Sequence, residues 1–377
     1  MLVALLVASL SRLSPPSLLS MSPGAAGRLL GGSGRAKSVW QLLRRGEDPF
    51  GPAGESFLSK PTLRALSAFS PLSSAVGAEI VTPCGTCKLL LLLPDGREVE
   101  VVVIPHASQA FSTVCVSSQV GCRQACSFCA TGTMGLLRSL ATEEIVAQAL
   151  SSPLPLPTLP SRYSPMPPTS PSSSTPHSSR LFVRLAGMGE PLDNAAAVQQ
   201  ALELLTHPFG FRLAKQHICV STVGPSVDHI QQMQQMPARK VGRRKEWSEE
   251  EDHFTSKRSI AEPMLAWSVH AADDELRKLL VPTMRTSTTQ LRDAFHQVLT
   301  ARADRGLMVE LTLIRGVNDE SLHARQAPRR LVCELLEGLP GKTRVNLIPY
   351  NINPGLGAAG AVFQPSPPEK LKAFQRQ

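Results

Sequence analysis

Apolar and polar positions along this chain follow two different periods. From residue 113 onward, short apolar runs recur at 113–117 (TVCVS), 181–186 (LFVRLA), 217–222 (HICVST), 264–269 (MLAWSV), 308–314 (MVELTLI) and 344–348 (RVNLI). Runs of this length that are apolar almost throughout read as strands covered on both faces. Helical periodicity fills the gaps. The clearest helix runs from Thr288, read as its N-cap, to Arg302. Leu291, Ala294, Phe295, Val298 and Leu299 fall at i, i+3, i+4, i+7 and i+8 on one face, and Gly306 follows as a stop. Six strand–helix units imply a parallel sheet with right-handed crossovers. The fold class is α/β, a partial (β/α)6 TIM-like barrel.

Upstream the pattern differs. Residues 32–75 read as a small helical domain in which Trp40, Leu42 and Leu43 face Leu63 and Leu66. Residues 76–112 read as a β-hairpin linker, with apolar runs on both sides of Pro94-Asp95-Gly96, a strong turn signal. The barrel core would then span 113–377, with two insertions. Residues 151–180 are Pro/Ser-rich and cannot bury a core; residues 236–262 carry dense charge of both signs.

Composition changes this picture only in part. The 377 residues suffice for one large domain and a small one. The formal charge of +9 favours an anionic partner such as nucleic acid, although a merely basic surface would look the same. The opening run MLVALLVASL is too short to cross a membrane, and no membrane role is expected. Residues 1–31 read as a transit peptide. Between Met1 and Arg45 there are Arg12, Arg28, Arg35, Lys37, Arg44 and Arg45, and the first acid is Glu47. An organelle, plastid or mitochondrion, is the expected location, with the cytoplasm as the fallback.

Cysteine placement carries the chemistry. Of eight cysteines, Cys122, Cys126 and Cys129 fall within eight consecutive residues, as CxxxCxxC after the first barrel strand. Three thiolates can hold three irons of a [4Fe–4S] cluster and leave the fourth free to chelate S-adenosylmethionine (SAM), whereas ordinary electron-transfer clusters take four cysteines. A zinc site would want a fourth ligand. The other CxxC, Cys84 to Cys87, lies on the far side of the hairpin and reads as a pair of incidental thiols. Polar groups gather at the strand ends, where parallel barrels carry their catalytic residues. Gly187-Met188-Gly189-Glu190-Pro191 follows the second strand, Ser221-Thr222 ends the third, Ser268-Val269-His270 the fourth, Asn318-Asp319 the fifth, and Asn351 the sixth. Singly each has a plain explanation: Ser221 could cap a helix and His270 could be a satisfied core imidazole.

Several phrases resemble one family, the radical SAM ribosomal RNA methyltransferases of the RlmN/Cfr type, which act on adenine carbons. They are CVSSQVGCRQACSFCATGTMG (115–135), GMGEPLDN (187–194), VSTVG (220–224), SVHAADDELRKLLVP (268–282), VELTLIRGVND (309–319) and RVNLIPYNINPG (344–355). The resemblance covers roughly residues 35–355. It implies a cluster on Cys122, Cys126 and Cys129, and a SAM site lined by Gly189, Glu190, Ser221, Ser268, Val269, His270 and Asn351. It makes Glu100 the acceptor of the adenine C2 proton and Cys115 the thiol that resolves the covalent adduct. Without it, Glu100 would read as one charge on the exposed face of a hairpin. The implied substrate is an adenine of large-subunit rRNA, with tRNA as a further candidate. The implied electron donor is a flavodoxin or ferredoxin, and the chain is expected to be monomeric.

The family's chemistry passes the methyl group through a cysteine near the C-terminus. Here the cysteines beyond the cluster are Cys219 and Cys333, and neither matches that position. A truncated sequence is the expected reason, and a natural variant that cannot run the methylcysteine route is the alternative. The polypeptide as given is expected to bind cluster and SAM without methylating RNA, and C2-methyladenine formed by it would refute this. Two other functions stay open: a radical SAM enzyme that applies its radical directly to another substrate, and a non-catalytic RNA-binding paralogue.

Overall fold

The structure is a computed structural model that describes residues 15–72, 75–106, 111–151, 180–234, 263–302, 306–319, 328–352 and 363–376. The charged insertion, and the Pro/Ser-rich one apart from Ser151 and Arg180, lie outside the described residues. Eleven strands are present among the described residues. They are β1 (Ala75–Val81), β2 (Cys87–Leu92), β3 (Glu98–His106), β4 (Phe111–Val116), β5 (Gln119–Gly121), β6 (Leu136–Ser139), β7 (Arg180–Leu185), β8 (Ile218–Thr222), β9 (Met264–Ser268), β10 (Leu307–Leu313) and β11 (Arg344–Pro349). Nine form one sheet in the order β1-β2-β3-β4-β7-β8-β9-β10-β11, and β5 pairs with β6 alone.

All six expected barrel strands are present, as β4 and β7 to β11, paired in parallel and in chain order. The helix Thr288–Arg302 buries the expected stripe Leu291, Ala294, Phe295, Val298 and Leu299. Its cap is Ser287, one residue before the expected Thr288. The Ser287 hydroxyl accepts from the Gln290 N–H at 3.2 Å, and the Gln290 side chain accepts from the Ser287 N–H at 3.0 Å, a reciprocal capping box.

Two expected boundaries move. The hairpin is not a linker: β3 pairs antiparallel with β4, so β1, β2 and β3 extend the barrel sheet itself. Strand β1 had no readable alternation because it is exposed along its whole length. The helical module also begins before residue 32. Leu18, Leu19, Ala26 and Leu30 are fully or almost fully buried, so residues 15–31 belong to its core. Trp40 then meets Phe211 of the barrel edge-on at 5.4 Å, which docks the module on the barrel.

Candidate active site

The loop that follows β5 carries Cys122, Cys126 and Cys129. Gly121, at φ +76°, turns the chain into it, and a Cβ there would lie 1.9 Å from the Gly135 carbonyl oxygen. The Cys122 N–H donates to that same oxygen at 2.9 Å. Gln124 crosses to Asp193 and Thr283, at 2.8 Å each, and the Ser127 N–H reaches the Leu280 carbonyl at 3.0 Å. The loop is therefore fastened to both barrel halves. Burial pushes the Cys122 thiol up to about 12, and the charges of Glu190, Cys129 and Asp193 add to this. Burial also raises Cys126, with Cys129 and Cys122 adding to the effect.

The donor set fits a cluster. The three thiols lie within reach of one another's charge and need a strong local cation to ionise. Among the described residues no three His, Cys, Asp or Glu side chains converge as ligands of a single ion, whereas a cube takes its thiolates on separate irons. Cys126 also sits in a small apolar shell with Ala271, Leu280, Met284, Ile314 and Tyr350. The Tyr350 hydroxyl is buried there without a partner among the described residues, and an acceptor on a bound group would satisfy it.

Facing this loop, the ends of β7, β8 and β9 bring together most of the residues expected around SAM. Glu190 is buried, and its two oxygens accept from the Leu192 N–H at 3.1 Å and the Val223 N–H at 2.9 Å. Burial lifts its carboxyl to about 7, against the pull of these donors and of Thr222. Gly189, at φ +98°, is required by protein packing, since a Cβ would meet Gln119 at 2.6 Å. His270 is a buried residue at φ +55°. Its Nδ1 accepts from the Thr312 N–H at 3.3 Å, and its ring stands edge-on to Phe128 of the cluster loop at 4.7 Å. Burial, then Arg277, lowers it to about 3, so it is neutral at physiological pH. Asn318 lies five residues past β10 and holds the His270 carbonyl at 2.8 Å. Val269 is buried, and its carbonyl accepts from Arg277. Asn351 stands apart, exposed beyond β11 next to Tyr350.

Sequence reasoning missed the residues that join these strand ends. Glu310 of β10 accepts from Ser221 at 2.7 Å and from Ser268 at 3.5 Å, and forms an ion pair with Arg184 of β7. Ser221 and Ser268 are also 3.3 Å apart. The available signal was one charge in each of two strands, LFVRLA and MVELTLI, that otherwise read as apolar on both faces. Arg277 is the other omission. It is fully buried against Trp267 and clamps the carbonyls of Val223, Ser268 and Val269.

Glu100 and Cys115 meet in one place. Cys115 pairs with Val102 across β3–β4 and with Arg184 across β4–β7. Glu100 lies two residues from Val102 on the same face. Its hairpin face is therefore continuous with the barrel interior. Both residues line a cleft of about 780 Å³ whose floor includes Gly187 and Met188 and whose far wall includes Thr131, Met134 and Leu137. Burial raises the Cys115 thiol; Arg184 opposes this, while Glu310 and Glu100 add to it. Lys88 holds the Glu100 carboxylate at 2.5 Å. Of the remaining thiols, Cys84 and Cys333 are exposed, Cys87 is buried with its thiol on Glu79 at 3.3 Å, and Cys219 lies on β8 opposite Arg184.

A partial barrel with a three-cysteine loop over such strand ends is the architecture of a radical SAM methyltransferase. A solved radical SAM methyltransferase from Sphaerobacter thermophilus superposes with a TM-score of 0.72 at 27% identity, covering 96% of this chain and 92% of that one. No protein-family model matches the sequence. The chain is similar to the dual-specificity RNA methyltransferases RlmN of Dinoroseobacter shibae, 35% identical over 90% of this chain and 75% of that protein, and of Azorhizobium caulinodans, 35% identical over 94% and 81%. The chain belongs to the RlmN family of radical SAM RNA methyltransferases.

Proposed function

We propose that this chain provides the cluster, SAM and RNA sites of an enzyme that methylates C2 of an adenine in large-subunit rRNA, with tRNA as a second substrate, by way of a methyl-carrying cysteine that this sequence does not contain. The carrying observation is the shared cleft. Glu100 and Cys115 line one cavity with Gly187 and Met188 of the GMGEP turn and with Ala130 and Thr131, which directly follow Cys129. Cys122, Cys126 and Cys129 would hold a [4Fe–4S] cluster, with Gly189, Glu190, Ser221, Ser268, Val269, His270 and Asn351 around SAM. When bound, these groups supply one-electron cleavage of SAM, the chemistry that an electron-poor adenine carbon requires. The protein's part is to position and to move protons. Glu100, ion-paired with Lys88, accepts the C2 proton, and Cys115 would supply the thiolate that forms a disulfide with the methyl-carrying cysteine and so releases the adduct. The net charge of +9 suits phosphate contacts, and an open cleft of this size admits an adenine turned out of its stack. The dual specificity named for the relatives motivates the inclusion of tRNA. We also infer a flavodoxin or ferredoxin as electron donor, a monomeric state, and work in an organelle. The last rests on residues 1–14, which carry Arg12 and no acidic residue.

Anaerobic reconstitution with iron and sulfide, followed by reduction with SAM and an rRNA fragment, tests the reading. The expected results are cluster absorbance, 5′-deoxyadenosine and binding of the fragment. A chain that binds RNA but takes up no iron is a non-catalytic paralogue. One that cleaves SAM and ignores RNA uses its radical on another substrate.

A further inference from the structure

The cleft has two walls that belong to different pieces of the chain. One is the β2–β3 hairpin that carries Glu100. The other is the β5–β6 pair, which leads directly into the cluster loop. Their relative position sets the distance between the proton acceptor and the cluster, yet β5 and β6 form a sheet of their own with no strand pairing to the hairpin, and Gln119 of β5 bonds instead to the Met188 carbonyl and the Glu190 N–H. Among the described residues one side chain spans the gap. Arg138 of β6 donates from Nε to Asp95 at the hairpin turn at 2.6 Å. Its two terminal nitrogens grip Glu144 at 2.7 and 2.8 Å in a fork. Glu144 in turn accepts from the Ala141 N–H at 2.8 Å, at the start of the helix Thr142–Leu150. Arg97 shares that Asp95 oxygen at 2.7 Å and donates its backbone N–H to the other oxygen at 3.1 Å.

We propose that Arg138 is a positioning residue, which fixes the Glu100 hairpin against the cluster loop by bridging Asp95 to Glu144. The neighbours of the bridge are the cleft itself: Gly96 and Arg97 beside Asp95, and Leu137 beside Arg138, all line it. In the β5–β6 register Arg138 lies opposite Val120, two residues before Cys122. A planar fork on one carboxylate leaves the Nε–H free for a second, so one guanidinium sets the geometry of both partners. The ionisation of the group agrees. Hydrogen bonding to Arg138, then to Arg97, holds the Asp95 carboxyl well below the usual carboxylate range. The bridge touches neither the cluster cysteines nor the strand ends, so it acts on the width of the cleft alone.

The role assigned to the cleft rests on the function proposed above; the bridge does not. Two readouts keep them separate. Hydrogen exchange of the amides of β5 (119–121) and β6 (136–139) reports the bridge directly. In Asp95→Asn and Arg138→Met, exchange is expected to rise roughly three- to tenfold, and Asp95→Glu should return it toward wild type. Added salt should raise exchange in the wild type and do little in Asp95→Asn, because the pair is partly exposed. In the reconstituted enzyme, the same variants should keep cluster absorbance and SAM cleavage without RNA, and lose roughly three- to tenfold in affinity for the rRNA fragment. Unchanged exchange in both variants overturns the proposal. So does loss of SAM cleavage as large as the loss of RNA affinity. Altered exchange in a chain that binds no RNA leaves the bridge standing and removes the function.

Discussion

Arg184 on β7 and Glu310 on β10 pair through the barrel interior, although two strands separate them in the sheet. Glu310 uses its other oxygen to hold Ser221 at 2.7 Å, so the ion pair also fixes the floor of the strand-end site. Removing one partner leaves the other charge buried and unpaired. Glu310→Gln is therefore expected to cost about 3–5 kcal/mol in urea unfolding, while the double change Arg184→Met with Glu310→Met recovers most of it. Equal losses in single and double variants would show that the pair is solvated and energetically idle.

The cluster loop depends on Gly121 as much as on its cysteines. A side chain at that position meets the Gly135 carbonyl at 1.9 Å, and the residue sits at φ +76°. Gly121→Ala should move Cys122 and reduce the iron bound after anaerobic reconstitution to the level of Cys126→Ser. Full iron content in Gly121→Ala would mean that the loop adapts around the glycine.

The legibility of this protein follows from where its constraints are local. Five of the six barrel strands announced themselves because at least one face of each is buried, β11 was readable from its apolar run although it is half-exposed, and the stripe from Leu291 to Leu299 was readable because one helix face is buried. Strand β1 was silent because its side chains are exposed. The CxxxCxxC loop and the GMGEP turn are contiguous, so their chemistry was readable. Glu310 and Arg184 lie over a hundred residues apart, and only the fold joins them. Glu100 was readable only through family resemblance, because a hairpin charge faces solvent unless the hairpin continues a barrel. The placement of residues 15–31 was obscured because they lie within a basic, acid-free stretch up to Arg45 that suits both a leader and a helical module.

Glu190 and His270 predict an unusual pH response in the metal-free protein. The folded-state value of Glu190 is raised from 4.5 to about 7. Its stabilising contribution is full below 4.5 and is lost as pH rises toward 7. The folded-state value of His270 is lowered from 6.5 to about 3, so its contribution is full above 6.5 and is lost as pH falls. Between pH 4.5 and 6.5 the two slopes oppose each other. Glu190→Gln should therefore leave a stability that rises with pH in this window, by up to about 1.4 kcal/mol per pH unit. His270→Asn, a residue that tolerates the positive φ, should leave one that falls. Urea midpoints measured across the window decide this. If both variants keep the wild-type pH dependence, neither group titrates as its burial requires.

Ser117 joins the two halves of the cleft from below. Its hydroxyl donates to the Glu100 carbonyl at 2.7 Å and accepts from the Met188 N–H at 2.8 Å, linking the hairpin to the GMGEP turn. Its own backbone is held separately, because the Gln148 side chain accepts from its N–H at 2.7 Å and donates to its carbonyl at 2.9 Å. Ser117→Ala thus removes the link without releasing β4. Two backbone groups lose their partner, at about 1–3 kcal/mol each where water cannot reach them. The hairpin should then relax away from the floor of the cleft, and Cys115, half-buried between them, should become easier to reach. Alkylation of Cys115, followed by mass spectrometry of its peptide, should run faster in Ser117→Ala than in wild type at the same pH, while the Cys219 peptide, further inside the barrel, stays unmodified. Acceleration of both thiols together would indicate general loosening of the barrel, and acceleration of neither would show that the hairpin is held by β3–β4 pairing alone.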